Sequence, residues 1–258
     1  MSLMLYGKDT ELLNYAQISN LPASHFEKLT ETHNPVPHKT VIDTVKSSLN
    51  KFTEYSIVKQ EFGTSHKLKN LFGCFYLKKN NDQNHDYDIV YGLRHSNIMH
   101  FSLKCGLGHE VTVCSNLAWL VEAECKGSKH TKNIRDAFDD RLNDLNRRLL
   151  SKDKELHKKI KRYKSINISY RDADHIIMEC IRRGAITKGK CNAVDSEWRR
   201  PSYKYDSTGI SMFDLFQAFT HVAKGTYFPD NVRRTKVLHQ VFDEYPSFSY
   251  NNRSVSFA

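Results

Sequence analysis

Apolar residues recur along this chain with two periods, one helical and one alternating. Val41, Val45, Leu49 and Phe52, with Ile42 beside them, step at helical spacing behind Pro37 and predict an amphipathic helix over 40–52. Ile134, Phe138, Leu142, Leu145 and Leu149 follow steps of four, four, three and four, which predicts a long helix over 133–160 with Leu156 and Ile160 as its last apolar anchors. Ser169 and Asp172 have capping-box spacing and open a further helix. Its apolar face holds Ile176, Ile177, Cys180 and Ile181, and Gly184 ends it. Ser211 caps a final helix pair, first Met212, Phe213, Leu215, Phe216, Phe219 and Val222, then, after Phe228 and Pro229, Val232, Val237, Leu238 and Phe242.

The alternating pattern lies between these helices. Residues 55–58 and 71–77 are rich in aromatic and β-branched side chains and read as strands. Tyr87, Ile89 and Tyr91 alternate with Asp88 and Val90 as a third strand, and the turn-forming residues 92–97 follow. Residues 98–103 read as a strand with Met99, Phe101 and Leu103 on one face, broken by Gly106 and Gly108, and 111–114 as another. Ser115 and Asn116 then cap a turn of helix over 117–120. Strands joined this closely form an antiparallel meander. The expectation is an α+β fold, a mostly antiparallel sheet from 55 to 114 covered by several helices. Residues 1–35 form an N-terminal arm with short helices, 36–245 a single α+β domain, and 246–258 a loose C-terminal tail.

Composition adds a sign of charge to this picture. At 258 residues, 39% hydrophobic and 26% charged, the chain is that of an ordinary globular protein. No apolar run reaches the roughly 18 residues of a membrane span, and the N-terminus lacks the pattern of a secretory signal. The cysteines, scattered without a CxxC pair, fit reduced thiols in a cytoplasm. The formal net charge of +10 favours an anionic partner. Much of it lies in Lys152, Lys154, Lys158, Lys159, Lys161, Arg162 and Lys164 at the end of the long helix. Such a run is either a solvated helix end that complements the macrodipole or a surface for phosphates.

Other candidates are smaller. Arg94 and His95, near His100, either present an anion contact or fix a turn, Arg94 then pairing with a buried carboxylate. Lys129, His130 and Thr131 stand where a helix N-terminus would favour a phosphate, or where Thr131 is an N-cap. Cys105, His109, Cys114, Cys125 and His130 are of zinc-binding type but lack the tight cysteine pair of a zinc knuckle, so no metal site is assigned. Asp139 with Asp140 and Asp172 with Asp174 are carboxylate pairs that point apart on a helix. No GxxxxGK[ST] or GxGxxG occurs, so no nucleotide cofactor is expected.

Several short motifs, taken in order, resemble the phage/plasmid-like protein family of unknown function. They are Pro35-Val36-Pro37 before a helix, Phe72-Gly73, Gly92-Leu93-Arg94-His95-Ser96, Val113-Cys114-Ser115-Asn116-Leu117-Ala118 and Lys129-His130-Thr131. Glu197-Trp198 with Pro201, Leu215-Phe216-Gln217-Ala218-Phe219-Thr220 and Arg234-Thr235 with Leu238 follow. The resemblance spans roughly 35–243. His95 stands where the family carries asparagine, and Asn97-Ile98-Met99 replaces an acidic His-Asp pair. It implies a gene of bacteriophages or mobile elements, in the company of DNA-metabolism and anti-host functions, and it carries over no catalytic residue.

The expected function is therefore non-enzymatic binding of nucleic acid, single-stranded DNA first, in replication or recombination. Arg94, His95, Lys129, His130, Lys154, Lys158, Lys159, Lys161 and Arg162 are the contacts, and Tyr203, Tyr205 and Tyr250 are aromatics that could stack on bases. The alternative is an interaction protein that blocks a host factor. A metal-dependent nuclease is a third reading. No cofactor or membrane is expected, and a homo-oligomer is compatible with the sequence.

Overall fold

The chain pairs its strands in sequence order, each with the next. In the computed structural model, which describes residues 10–22, 25–80, 87–111, 116–124, 133–203, 210–224 and 228–251, the strands are β1 (Glu11–Leu13), β2 (Tyr55–Ser65), β3 (Asn70–Lys79), β4 (Tyr87–Ser96), β5 (Lys104–Val111) and β6 (Asn116–Glu124). They form one antiparallel sheet in the order β1-β2-β3-β4-β5-β6. The helices are α1 (Tyr15–Ser19), α2 (His38–Leu49), α3 (Ile134–Ser165), α4 (Tyr170–Arg182), α5 (Cys191–Arg199), α6 (Met212–Val222) and α7 (Phe228–Asn251). The α+β fold and the antiparallel sheet covered by helices are as the patterning implies.

β3 explains why the sheet is central. Leu71, Phe75 and Leu77 enter the main core, while Phe72, Cys74 and Tyr76 are buried on the opposite face. A strand covered on both faces reads as a near-continuous apolar run. Gly73 lies opposite Phe62, whose ring comes within 3.0 Å of where a Cβ would stand, so any larger residue there would have to displace that ring.

α3 ties two layers together. Its first half packs against α2, where Asn146 Nδ2 donates to Ser48 Oγ at 2.6 Å. At mid-length the buried Asp153 accepts from Tyr55 Oη at 2.7 Å, at the end of the sheet where β2 begins. Its last turns meet α6 and α7, where Tyr163 lies 5.6 Å from the Phe216 ring and 5.7 Å from that of Phe242. α6 is buried from Met212 to Thr220, as an all-round apolar helix must be. Capping boxes Ser169–Asp172 and Ser211–Asp214 begin α4 and α6, and Gly184, with φ at +80°, follows α4.

Local reading failed where glycine and polar residues sit inside strands. Residues 92–97 were expected to turn, yet β4 runs to Ser96, with Gly92 in register between Cys74 and Gly106. The turn comes later, and Met99, expected on one face of a strand with Phe101 and Leu103, is 53% exposed with φ at +57°. Gly106 and Gly108 lie inside β5 rather than breaking it, and 117–120 is part of β6 rather than a helix. Cross-strand pairing supplies the hydrogen bonds there, overriding single-residue turn preference. At the ends, β1 joins the sheet edge, Ile18 is 1% exposed, and the α7 backbone continues to Asn251. α5, which the apolar spacing does not predict, follows Lys188-Gly189-Lys190, a 3₁₀ turn leading into that helix.

Candidate nucleic-acid interface

The expected contacts divide between a buried corner of the sheet and the outer face of α3. At the corner, the extended segment 35–37 lies against the end of β4. Val36 N–H donates to Asn97 Oδ1 at 3.0 Å, and Asn97 Nδ2 donates back to the Val36 carbonyl at 3.0 Å. His95 Nε2 lies 2.9 Å from the same carbonyl. His38 Nε2 lies 2.8 Å from the Leu68 carbonyl, which holds a turn where His66, Lys67 and Leu68 all have positive φ. His95 is 0% exposed, so its expected role as a nucleic-acid contact is corrected to that of a clamp on the N-terminal segment. Arg94 is half-buried, its guanidinium 5.6 Å over the Phe101 ring, and it pairs with no carboxylate among the described residues.

On α3 the residues facing away from the core sort themselves by partner. Lys152 pairs with Glu155 at 2.6 Å. Lys159 pairs with Asp243 at 2.8 Å, and Arg162 Nη2 donates to the Asp243 carbonyl at 3.2 Å. Tyr163 Oη donates to the same carboxylate at 2.8 Å, and its phenol is pushed far above the usual tyrosine range by burial, with the Asp243 charge second. Lys159 and Arg162 thus fasten α3 to α7, which explains their position without a ligand.

Lys154, Lys158 and Lys161 are exposed and have no ion-pair partner among the described residues. Arg147, which the sequence reading passed over, has the same exposure and freedom. At 3.6 residues per turn these four cations fall within roughly 60° of arc and span about 21 Å of helix. Arg147 was findable, lying seven residues before Lys154 and so two turns up the same face. Toward its N-terminus the helix exposes Asp136, Asp139, Asp140 and Asp144 instead, so its outer face changes sign along its length. Burial, with Asp136 and Asp140 beside it, raises the Asp139 carboxyl, while Lys51 opposes.

The structure does not bring Arg94 to this row. Asp153 meets β2 at Tyr55 and β3 at Lys79, whereas Arg94 lies opposite Phe72, seven residues along β3 and so roughly 23 Å away. Lys129, His130 and Thr131 lie outside the described residues, as do Cys114, Cys125 and Tyr205. Tyr203 is 38% exposed, and Tyr170, unnoticed in the sequence, is 59% exposed with the Arg199 guanidinium 4.7 Å over its ring. Among the described residues no three histidine, cysteine or acidic side chains group to hold a metal, and no helix is long and apolar enough to cross a membrane. Asp172 is engaged as a cap, and Asp174 faces Arg199 at 3.4 Å. No family model, curated protein or solved structure matches this chain.

Proposed function

We propose that the chain binds nucleic acid through the outer face of α3, with single-stranded DNA as the first candidate, and that it does so without catalysing a reaction. The observation that carries this reading is the row of Arg147, Lys154, Lys158 and Lys161, exposed and without ion pairs among the described residues. Lysine is a compact point charge without a planar fork, so the row addresses phosphates rather than base edges. A role in the replication or recombination of a bacteriophage or mobile element rests on the family resemblance alone.

Counterion release gives the test its form. Four phosphate contacts on a single strand imply that log K falls with log salt at a slope of about −3. Fluorescence anisotropy with labelled oligo(dT), a mixed-sequence duplex and oligo(rU), read across a potassium chloride series, measures both strand preference and slope. Tight binding at low salt with that slope supports the proposal. Absence of binding to all three at low salt removes it.

A further inference from the structure

The end of the sheet where β2 turns into β3 and β4 leads to β5 carries a second group of donors, on the face opposite His95. Side chains alternate across a strand, and directly paired residues share a face. Asn70 pairs with Ser65 of β2 and Ser96 of β4. In the next row but one, Phe72 pairs with Arg94, and Arg94 with Lys104 of β5. Asn70, Arg94 and Lys104 therefore share a face, their rows about 7 Å apart along the strands.

Two exposed histidines meet over Asn70, the rings of His66 and His100 lying 4.5 Å apart and nearly perpendicular. The buried Asn70 Nδ2 is 3.1 Å from His66 Nδ1 and 3.4 Å from His100 Nδ1. An amide NH2 only donates, so both Nδ1 atoms accept and both rings carry their proton on Nε2. Ser65 Oγ, 3.1 Å from His66 Nδ1, can donate to the same nitrogen. Each ring is left with one N–H to offer a ligand. The backbone is strained where it holds them: His66, Lys67 and Leu68 have φ of +52°, +53° and +63°, and Met99, just before His100, has +57°. Ser96 Oγ steadies the second turn by accepting the His100 N–H at 3.1 Å. Backbone strain of this kind clusters where a site needs side chains in fixed places.

Arg94 supplies charge. Its guanidinium lies 5.6 Å over the ring of Phe101, which follows His100 and stands 5.5 Å from Phe72. Arg94 Nε is buried with no hydrogen-bond partner, and no carboxylate pairs with the guanidinium among the described residues. Lys104 stands opposite it in register. Like charges directly opposite one another on a sheet repel, and an anion beside them removes that cost.

From this arrangement we infer that the end of the sheet is a binding site for a phosphate group, which accepts from Nε2–H of His66 and His100 and from the Arg94 guanidinium, with Lys104 adding positive potential. A planar guanidinium matches two phosphate oxygens at once. A phosphodiester in a strand and free phosphate present the same chemistry; the strand as source rests on the nucleic-acid reading.

The test uses 15N-labelled full-length protein, inorganic phosphate and labelled oligo(dT). Two-bond 1H–15N NMR at about pH 8 reads the tautomer of each ring, and phosphate is then titrated against chloride at constant ionic strength. Both rings should carry their proton on Nε2, and phosphate should shift both Nε2 resonances. Arg94→Gln should weaken phosphate about tenfold, the size of one hydrogen bond to a charged group. His66→Asn, a surface change to a residue that tolerates the left-handed conformation, tests the site even if Arg94→Gln fails to fold, and should weaken phosphate too. If phosphate moves neither ring, or both rings carry their proton on Nδ1, the site falls while oligo(dT) binding decides the α3 reading by itself. A salt slope for oligo(dT) that flattens by about 0.7 in Arg94→Gln assigns the phosphate to a strand. Phosphate binding that depends on Arg94, with that slope unchanged or with no oligomer bound, upholds the site for free phosphate. Failure of both probes removes both readings.

Discussion

The corner at Val36 and the outer face of α3 are both built from polar residues that stood out in the sequence, yet they face opposite ways. At the corner, His95 and Asn97 are buried and spend their hydrogen bonds on one backbone unit, the N–H and carbonyl of Val36. Buried polar groups that are hydrogen-bonded stabilise and specify a fold, because leaving such a bond unmade costs more than forming it gains. On α3, Lys154, Lys158 and Lys161 extend into solvent without ion pairs among the described residues. They contribute little to folding and much to the local potential. Polar residues at the corner hold the chain together; those on the helix are available to something else.

The largest effect that would break this comparison lies on α3. Reversing Lys154, Lys158 and Lys161 together to glutamate removes three phosphate contacts and adds repulsion. Affinity for single-stranded DNA should fall on the order of 10²-fold and the salt slope should flatten by about 2. The melting temperature should stay within about 2 °C of wild type, since solvated surface changes are usually within ±0.5 kcal/mol. Reversing Lys159 and Arg162 instead should destabilise the protein, because both hold Asp243 of α7. If the two sets behaved alike, the distinction drawn from their partners would be wrong.

A smaller effect, of the opposite kind, is expected at the corner. Asn97→Ala leaves the Val36 N–H without its partner and takes one donor from the Val36 carbonyl. Loss of about 2 kcal/mol follows, or about 4–8 °C in melting temperature for a unit of this size. DNA affinity measured well below the transition should be unchanged. A drop in affinity without loss of stability would show that the corner touches ligand after all.

How much of this was legible follows from the range of the interactions. The helices were read well because an apolar stripe is a local pattern: Ile134 through Leu149 are buried at the positions their spacing assigns. Capping at Ser169 and Ser211 is local too, and the structure carries both boxes. Strand limits were lost where the deciding partner is distant. Gly92 resembles a turn residue until Cys74 and Gly106 stand on either side of it. His95 resembles a surface histidine until Val36, 59 positions earlier, is seen against it. The lysine run was visible as charge, but its division into free and occupied members depends on Asp243, 84 residues beyond Lys159. Helical geometry would have supplied Arg147, which stands two turns before Lys154 on the same face.

The smallest effect concerns pH and sharpens the same comparison from the side of the N-terminal segment. His33 is 2% exposed, and burial lowers its pKa below the usual histidine value. Its Nδ1 accepts the Leu29 N–H at 3.2 Å, a bond that needs that nitrogen unprotonated. Between the lowered folded value and the ordinary unfolded value near 6.5, the unfolded chain binds more protons. Stability therefore falls as pH drops below about 6.5 and is insensitive to this group above it. His221, lowered likewise by burial, acts in the same direction. The affinity of the α3 row should hold between pH 8 and about 5.5 while the melting temperature drifts down at the acid end. His33→Gln should flatten that drift by less than the shift produced by Asn97→Ala. An acid-side loss of DNA affinity that tracked the melting curve, rather than remaining flat beneath it, would mean that the row on α3 and the clamped segment are coupled, and that the two regions cannot be treated as separate.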